Sequence, residues 1–179
     1  MIKDYSIILD IFLNHIIPLT KKNIIKGNKI FGAAILKKTD LSILTIGVNN
    51  EVSNPLFHGE ISTLNNFFEN NINYNIKDCI FLSTHEPCSL CLSAITWSGF
   101  DNFYYFFPYE DTHNKFNIPH DLKILKEVFR INDGNYNNTN IFWKSYSILD
   151  EIQNLSKQKQ INLKKKIDKI IKEYDGISK

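Results

Sequence analysis

Cysteine, proline and glycine are all sparse in this 179-residue chain, at three, five and seven residues, and each shortage excludes something. Three cysteines cannot all pair, and Met1-Ile2-Lys3-Asp4 lacks the cationic stretch and unbroken apolar run of a signal peptide. A reducing, cytoplasmic setting is therefore expected. No low-complexity linker and no internal repeat divides the chain. The apolar stretch from Ile7 to Leu19 is interrupted by Asp10, Asn14, His15 and Pro18, and it is too short to span a bilayer. No membrane partner is expected. Charge of one sign is also missing: 21 Lys plus Arg against 19 Asp plus Glu leave a net +2, too mild to require a nucleic-acid coat or an anionic surface as partner.

What is present is enough apolar material for a core, at 43% hydrophobic and 13% aromatic residues. A chain of this length is one domain, or one plus a short appendage, and buries roughly 70% of its unfolded surface. It needs no metal merely to fold, so a metal site here would serve chemistry.

Ile7, Ile8, Ile11, Phe12, His15 and Ile16 recur at helical spacing, which predicts a first helix ending near Pro18 or a turn or so beyond. Ile30 to Leu36 and Ser42 to Val48 read as two strands of a hairpin. Helix follows over His58 to Asn70, strand over Asp78 to Ser83, and helix over Cys88 to Trp97, with Pro87 in its first turn. Asn102 to Phe107 is a fourth strand, its aromatics and Trp97 reading as core. Asp121 to Phe129 and Leu149 to Tyr174 are helical in pattern, and Asp133 to Asn140 is a polar loop. Strands alternating with helices give an α/β fold, and the hairpin makes its sheet mixed. The division expected is a domain over 1–148 and a Lys-rich helical C-terminal extension over 149–179.

Three side chains have zinc-ligand chemistry at suitable spacing. Cys88 and Cys91 are three apart at a helix start, so both sulfurs point one way and feel the positive end of the helix dipole. His58 opens another helix, and Glu60 follows it by two residues. Two thiolates and one imidazole give zinc three protein ligands and leave a position for water, whose pKa zinc brings to about 7. A neighbouring glutamate could then move protons between that water, a ring nitrogen and a departing amine. The remaining candidates read more plainly: Cys79 as a small buried hydrophobe, and His15, His85, His113 and His120 as surface or loop residues.

The stretches His58-Gly59-Glu60-Ile61-Ser62-Thr63-Leu64 and Glu86-Pro87-Cys88-Ser89-Leu90-Cys91-Leu92-Ser93-Ala94-Ile95 resemble the cytidine deaminase-like superfamily, in its branch of free-base, nucleoside and tRNA deaminases. The resemblance covers roughly residues 30 to 112. It implies a three-layer α/β/α sandwich around a mixed sheet of about five strands. It also implies Zn2+ held by His58, Cys88 and Cys91, with Glu60 as catalytic proton shuttle. Substrate contacts implied are Gly59 through its N–H, Glu86 through its carbonyl, Asn49 (with Asn50 as the alternative) and Asp111. The first motif is similar to yeast-type cytosine deaminases. The second, with Phe106-Phe107 and Asp111, is similar to bacterial guanine deaminases, whose later acidic pair has no counterpart at Asn117-Ile118.

The leading expectation is therefore a zinc-dependent hydrolytic deaminase of a small nucleobase or nucleoside, acting as a homodimer. A tRNA-specific adenosine deaminase is the alternative, supported by the Lys-rich run from Lys157 to Lys172. The spacing of Ile161, Leu163, Ile167, Ile170 and Ile171 instead favours reading that run as an amphipathic helix with one solvated face. A non-catalytic, zinc-stabilised interaction protein is the third reading.

Overall fold

The computed structural model describes residues 2–70, 72–114, 120–132 and 136–177. Helix α1 (Tyr5–Ile11) is capped by Asp4, whose carboxylate accepts the Ser6 N–H at 2.8 Å. The helix then widens into a π turn over Phe12–Ile16, where the Ile17 N–H donates to the Phe12 carbonyl, and continues as α2 (Ile17–Ile24). The wide turn absorbs the break in the ladder that Pro18 would cause, because Pro18 then falls in the first turn of α2, where its missing N–H is not needed. The first helical segment consequently reaches Ile24, at the far end of what its sequence suggests.

Five strands follow: β1 (Gly32–Lys37), β2 (Ile43–Val48), β3 (Cys79–His85), β4 (Asn102–Phe107) and β5 (Lys144–Ser147), in the sheet order β2-β1-β3-β4-β5. β1 runs antiparallel to both β2 and β3, whereas β3, β4 and β5 are parallel. The sheet is mixed, as expected. Parallel neighbours need crossovers. α4 (Ser89–Trp97) supplies one between β3 and β4, while α5 (Tyr109–Asn114) and α6 (His120–Phe129) lie between β4 and β5.

Side chains alternate between the two faces of the sheet. Ala34, Leu36, Leu82, Tyr104 and Phe106 pack against Ile8, Leu9, Phe12 and Ile16 of the N-terminal helices. Ala33, Ile35, Phe81 and Phe103 pack against Leu64 and Phe67 of α3 (Gly59–Glu69) and Ile95 of α4. The result is the three-layer α/β/α sandwich. After residue 148 the chain is helical, but as two helices, α7 (Ile148–Gln153) and α8 (Lys157–Ile177). They place Ile152, Leu163, Ile170 and Tyr174 in the first of those cores, so α8 completes the layer begun by α1 and α2.

One expectation needs correcting. Trp97 is not core but 90% exposed. Cys91 and Ile95 define the buried stripe of α4, and a residue two positions past Ile95 lies about 200° around the helix from it. The fifth strand that the resemblance implies has no local signal at its position, because Lys-Ser-Tyr-Ser is short, mostly polar and at the sheet edge. Among the described residues no helix is long and apolar enough to cross a membrane.

Candidate active site

The candidate side chains sit where the two helices of one face begin, beside the carboxyl end of β3. This is the end at which parallel strands open onto ligand crevices in α/β sheets. His58 is the N-cap of α3 and Cys88 the N-cap of α4, both with extended backbone. Pro87 therefore precedes the cap and does not fall in the first turn. The start of α3 is pressed onto the start of β1: a Cβ on Gly59 would lie 2.8 Å from the Gly32 backbone, so only glycine fits. Gly32 in turn donates its N–H to Thr84 Oγ1 at 3.1 Å, which ties that junction to β3.

His58 Nδ1 lies 3.4 Å from Cys88 Sγ and 3.6 Å from Cys91 Sγ, and the three ligand atoms all fall within 4.8 Å of one another. Zinc bonds of about 2.3 Å to sulfur and about 2.05 Å to nitrogen, at a tetrahedral angle, require a nitrogen–sulfur separation of about 3.6 Å. The set therefore has the dimensions of a zinc cage. The thiols give a second reason. The Cys91 side chain and then His58 hold the Cys88 thiol down to about 5, while burial pushes the Cys91 thiol well up. A divalent cation would offset the cost of holding two buried thiolates side by side. The residues present fit zinc.

Glu60 stands beside this set and outside it. One carboxylate oxygen accepts the Ser83 hydroxyl at 2.7 Å, and the other accepts from Cys91 Sγ at 3.3 Å. Glu60 is 4% exposed, and burial, followed by the charge on Cys88, raises its carboxyl above the usual range. An oriented carboxylate with an upward-shifted pKa is suited to taking and returning a proton near neutrality.

The cleft over these groups has a volume of about 370 Å³, at the small end of the range for ligand pockets. Glu86 lines it, with its carboxylate accepting the Tyr109 N–H at 2.9 Å and the Tyr136 hydroxyl at 2.5 Å. His85 also lines it. It is no loop residue but the buried end of β3, stacked on Phe107, and burial lowers its pKa to about 3. Asn49 is fully buried but is not among the cleft-lining residues. Its side-chain oxygen accepts the N–H groups of Lys29 at 3.1 Å and Glu51 at 3.3 Å, and its Nδ2 has no partner among the described residues. Asn50 lines a separate groove. Gly59 likewise is not among the lining residues, although His58 and Glu60 on either side of it are. Asp111 is on α5 and does not line the cleft; the acid that reaches it is Asp121, on α6. His120 lines the cleft too, and the side chain of His113 lies outside the described residues.

Two functional candidates escape sequence reasoning. Glu51 bonds His58 Nε2 at 3.1 Å and Lys29 Nζ at 3.0 Å, which leaves His58 Nδ1 facing the sulfurs. Such outer carboxylates fix the tautomer and orientation of a ligand histidine. Glu51 stands in an irregular loop and Asp121 in the first turn of a helix, and neither belongs to a spaced motif.

The model of the family described as "cytidine and deoxycytidylate deaminase zinc-binding region" matches residues 10–107. The fold and the metal set together thus define a zinc-binding deaminase-type domain, and the chain belongs to that family. It is 36% identical over 70 residues to the guanine deaminase of Bacillus subtilis (strain 168), a stretch covering 38% of this chain and 44% of that protein. It is 32% identical over 76 residues to the tRNA-specific adenosine deaminase of Rickettsia bellii (strain RML369-C), covering 41% of this chain and 52% of that one. The matched stretch thus spans about half the length of these relatives. The crystal structure of guanine deaminase from Bacillus subtilis superposes with a TM-score of 0.56 at 25% identity, covering 74% of this chain and 85% of that one.

Proposed function

We propose that the protein is a hydrolytic deaminase of a small nucleobase or nucleoside. The observation that carries the reading is the placement of Glu60, oriented by Ser83 and 3.3 Å from a sulfur of the metal set while remaining outside that set. Zinc held by His58, Cys88 and Cys91 supplies a Lewis acid that makes water nucleophilic at neutral pH. The chain's own residues do the rest. Glu60 takes a proton from the attacking water and gives it to the ring nitrogen beside the amino-bearing carbon. It then takes the proton of the newly added hydroxyl and passes it to the amine, so that the carbon–nitrogen bond breaks, ammonia leaves and a carbonyl remains. Gly59, at the first position of α3 between the lining residues His58 and Glu60, has an N–H with no intrahelical acceptor, and the Glu86 carbonyl precedes the α4 cap; both are assigned to substrate, whereas Asn49, which does not line the cleft, is not. Asp121, which lines the cleft, is assigned to substrate in place of Asp111, which does not.

Ammonia release should be measured against cytosine, guanine, adenine and their nucleosides, with wild type and Glu60→Gln in parallel. The variant is expected to keep about one zinc per chain and lose about 10²–10⁴-fold in turnover. Unchanged turnover would overturn the mechanism, and no turnover by the zinc-loaded wild type would favour the non-catalytic reading. Likeness to a tRNA-specific adenosine deaminase supports a second reading, tested by whether RNA binds with a salt-dependent affinity. A homodimer and a cytoplasmic location belong to the same proposal, the former supported by Leu90 and Trp97, exposed seven residues apart on α4.

A further inference from the structure

The cleft is acidic in a way the metal chemistry does not require. Among its described lining residues are Glu51, Glu60, Glu86 and Asp121, and its one lysine or arginine is Lys29, already paired with Glu51 at 3.0 Å. The three glutamates have partners: Lys29 and His58 for Glu51, Ser83 for Glu60, and Tyr109 with Tyr136 for Glu86. Asp121 makes no hydrogen bond or ion pair among the described residues, although it is partly buried and within range of the charges on Cys88, His58, Glu60 and Lys29. A carboxylate is an acceptor only, and holding one desolvated without a donor is costly unless a ligand supplies the donor.

Resting on the deaminase reading, we propose that Asp121 is a specificity-determining residue that accepts a ring N–H from an unphosphorylated free base. The amino-bearing carbon of the substrate must approach Glu60 and the metal set, at the starts of α3 and α4. Asp121 stands on a different wall, formed by α6. A donor on another edge of the ring is thus what it can reach. In cytosine, adenine and guanine one such donor is the N–H at the position that carries the sugar in a nucleoside. A nucleoside lacks that hydrogen and leaves the carboxylate unpaired. A nucleotide adds a dianionic phosphate to a cleft whose one lysine among the described residues is already paired, and like charges brought together in this way are strongly rejected. The same repulsion opposes an RNA backbone.

The test compares each base with its nucleoside and 5′-monophosphate. Ammonia release is followed for zinc-loaded wild type, Asp121→Ala and the isosteric Asp121→Asn. Binding of the same compounds to Glu60→Gln, with and without Asp121→Asn, is followed by calorimetry. The expected order for wild type is base, then nucleoside, then nucleotide. Asp121→Ala and Asp121→Asn are expected to lower kcat/KM for the base about 10- to 100-fold, mainly through KM, and to leave the nucleoside value within about twofold. A uniform loss across the panel, no loss, or a preference for the monophosphate or for RNA overturns the assignment. Calorimetry separates the two readings. Base binding that depends on Asp121 without any turnover sinks the deaminase reading and keeps this one, while turnover that ignores Asp121 does the reverse. A failure of every compound both to bind and to react removes both. A thermal melt of each variant guards against counting an unfolded protein as a specificity change.

Discussion

The two faces of the sheet hold their helices by different means. On one, α1, α2 and α8 are fixed by apolar burial: Ile8, Leu9, Phe12, Ile16 and Ile170 are each at 0% exposure, and none carries a polar obligation. On the other, α3 and α4 begin among buried polar groups. Glu60 bonds Ser83, and Thr63 Oγ1 donates to the Gly59 carbonyl at 2.7 Å and the Ala33 carbonyl at 3.1 Å. Apolar burial is non-directional and tolerates small shifts, whereas a metal cage demands fixed separations. The first face should therefore carry more of the stability and the second more of the chemistry, and each can be perturbed alone.

The largest effect is expected on the apolar face. Ile170→Ala removes a fully buried side chain between α8 and the sheet and should cost about 2–5 kcal/mol in urea unfolding. Zinc affinity of the folded fraction should stay within about twofold of wild type. If affinity fell along with stability, the two faces would be one unit and the comparison would break.

The faces meet at His85. It lines the cleft, yet its ring is stacked on Phe107 at 4.9 Å and abuts Tyr174 of α8 at 5.4 Å. Burial lowers its pKa from 6.5 to about 3, so the folded state holds it neutral. The unfolded chain takes up that proton as pH falls through about 6.5, and the folded chain does so only near 3. The contribution is therefore fully present above pH 6.5 and is lost at up to about 1.4 kcal/mol per pH unit below it. Urea titrations at pH 7, 6 and 5 should show this slope in wild type and a shallower one in His85→Gln. Parallel slopes would mean that His85 is not the titrating seam.

The chemistry-bearing face is also the legible one. His58, Glu60, Cys88 and Cys91 lie in two short motifs whose spacing at helix starts already implies convergence, and the structure brings them together. Short apolar runs of strand length bounded by turn residues likewise locate β1 to β4. What escapes is whatever depends on distant packing. β5 has four residues and takes its conformation from pairing with β4, with Tyr104 opposite Tyr146. Trp97 looks like core by composition, and only its angular position on α4 exposes it. Glu51 and Asp121 reach the cleft by the course of a loop and the docking of α6, for which no local pattern exists. Asp111 illustrates the converse: an acid ten residues away fits a family pattern, yet α5 does not bring it to the cleft.

Glu51 allows a sharper test of whether the second face can lose chemistry without losing stability. Glu51→Gln keeps the shape of the side chain but removes the charge that holds His58 Nε2 and Lys29. Chelator competition should show zinc affinity down by about 10- to 100-fold. The unfolding free energy of the metal-free protein should move by less than about 1 kcal/mol, as for other ion pairs near the surface. A stability loss as large as that of Ile170→Ala would contradict the division of labour.

The smallest effect concerns the lysines of α8. Lys166 Nζ lies 2.6 Å from the Asp10 carboxylate and 2.6 Å from the Ser6 hydroxyl, and Lys21 of α2 pairs with Glu173 of α8. Part of the positive charge in the tail is thus spent on docking the helix layer. Partly exposed pairs of this kind contribute about 0–1 kcal/mol and are screened by salt. Lys166→Met should accordingly destabilise by less than about 1 kcal/mol at low ionic strength, and the difference should shrink in about 0.5 M salt, near a short Debye length. If the variant instead left stability untouched but abolished a salt-dependent affinity for RNA, Lys166 would belong to a binding surface. The apolar face would then carry function as well, and the contrast between the two faces would fail at its least expected point.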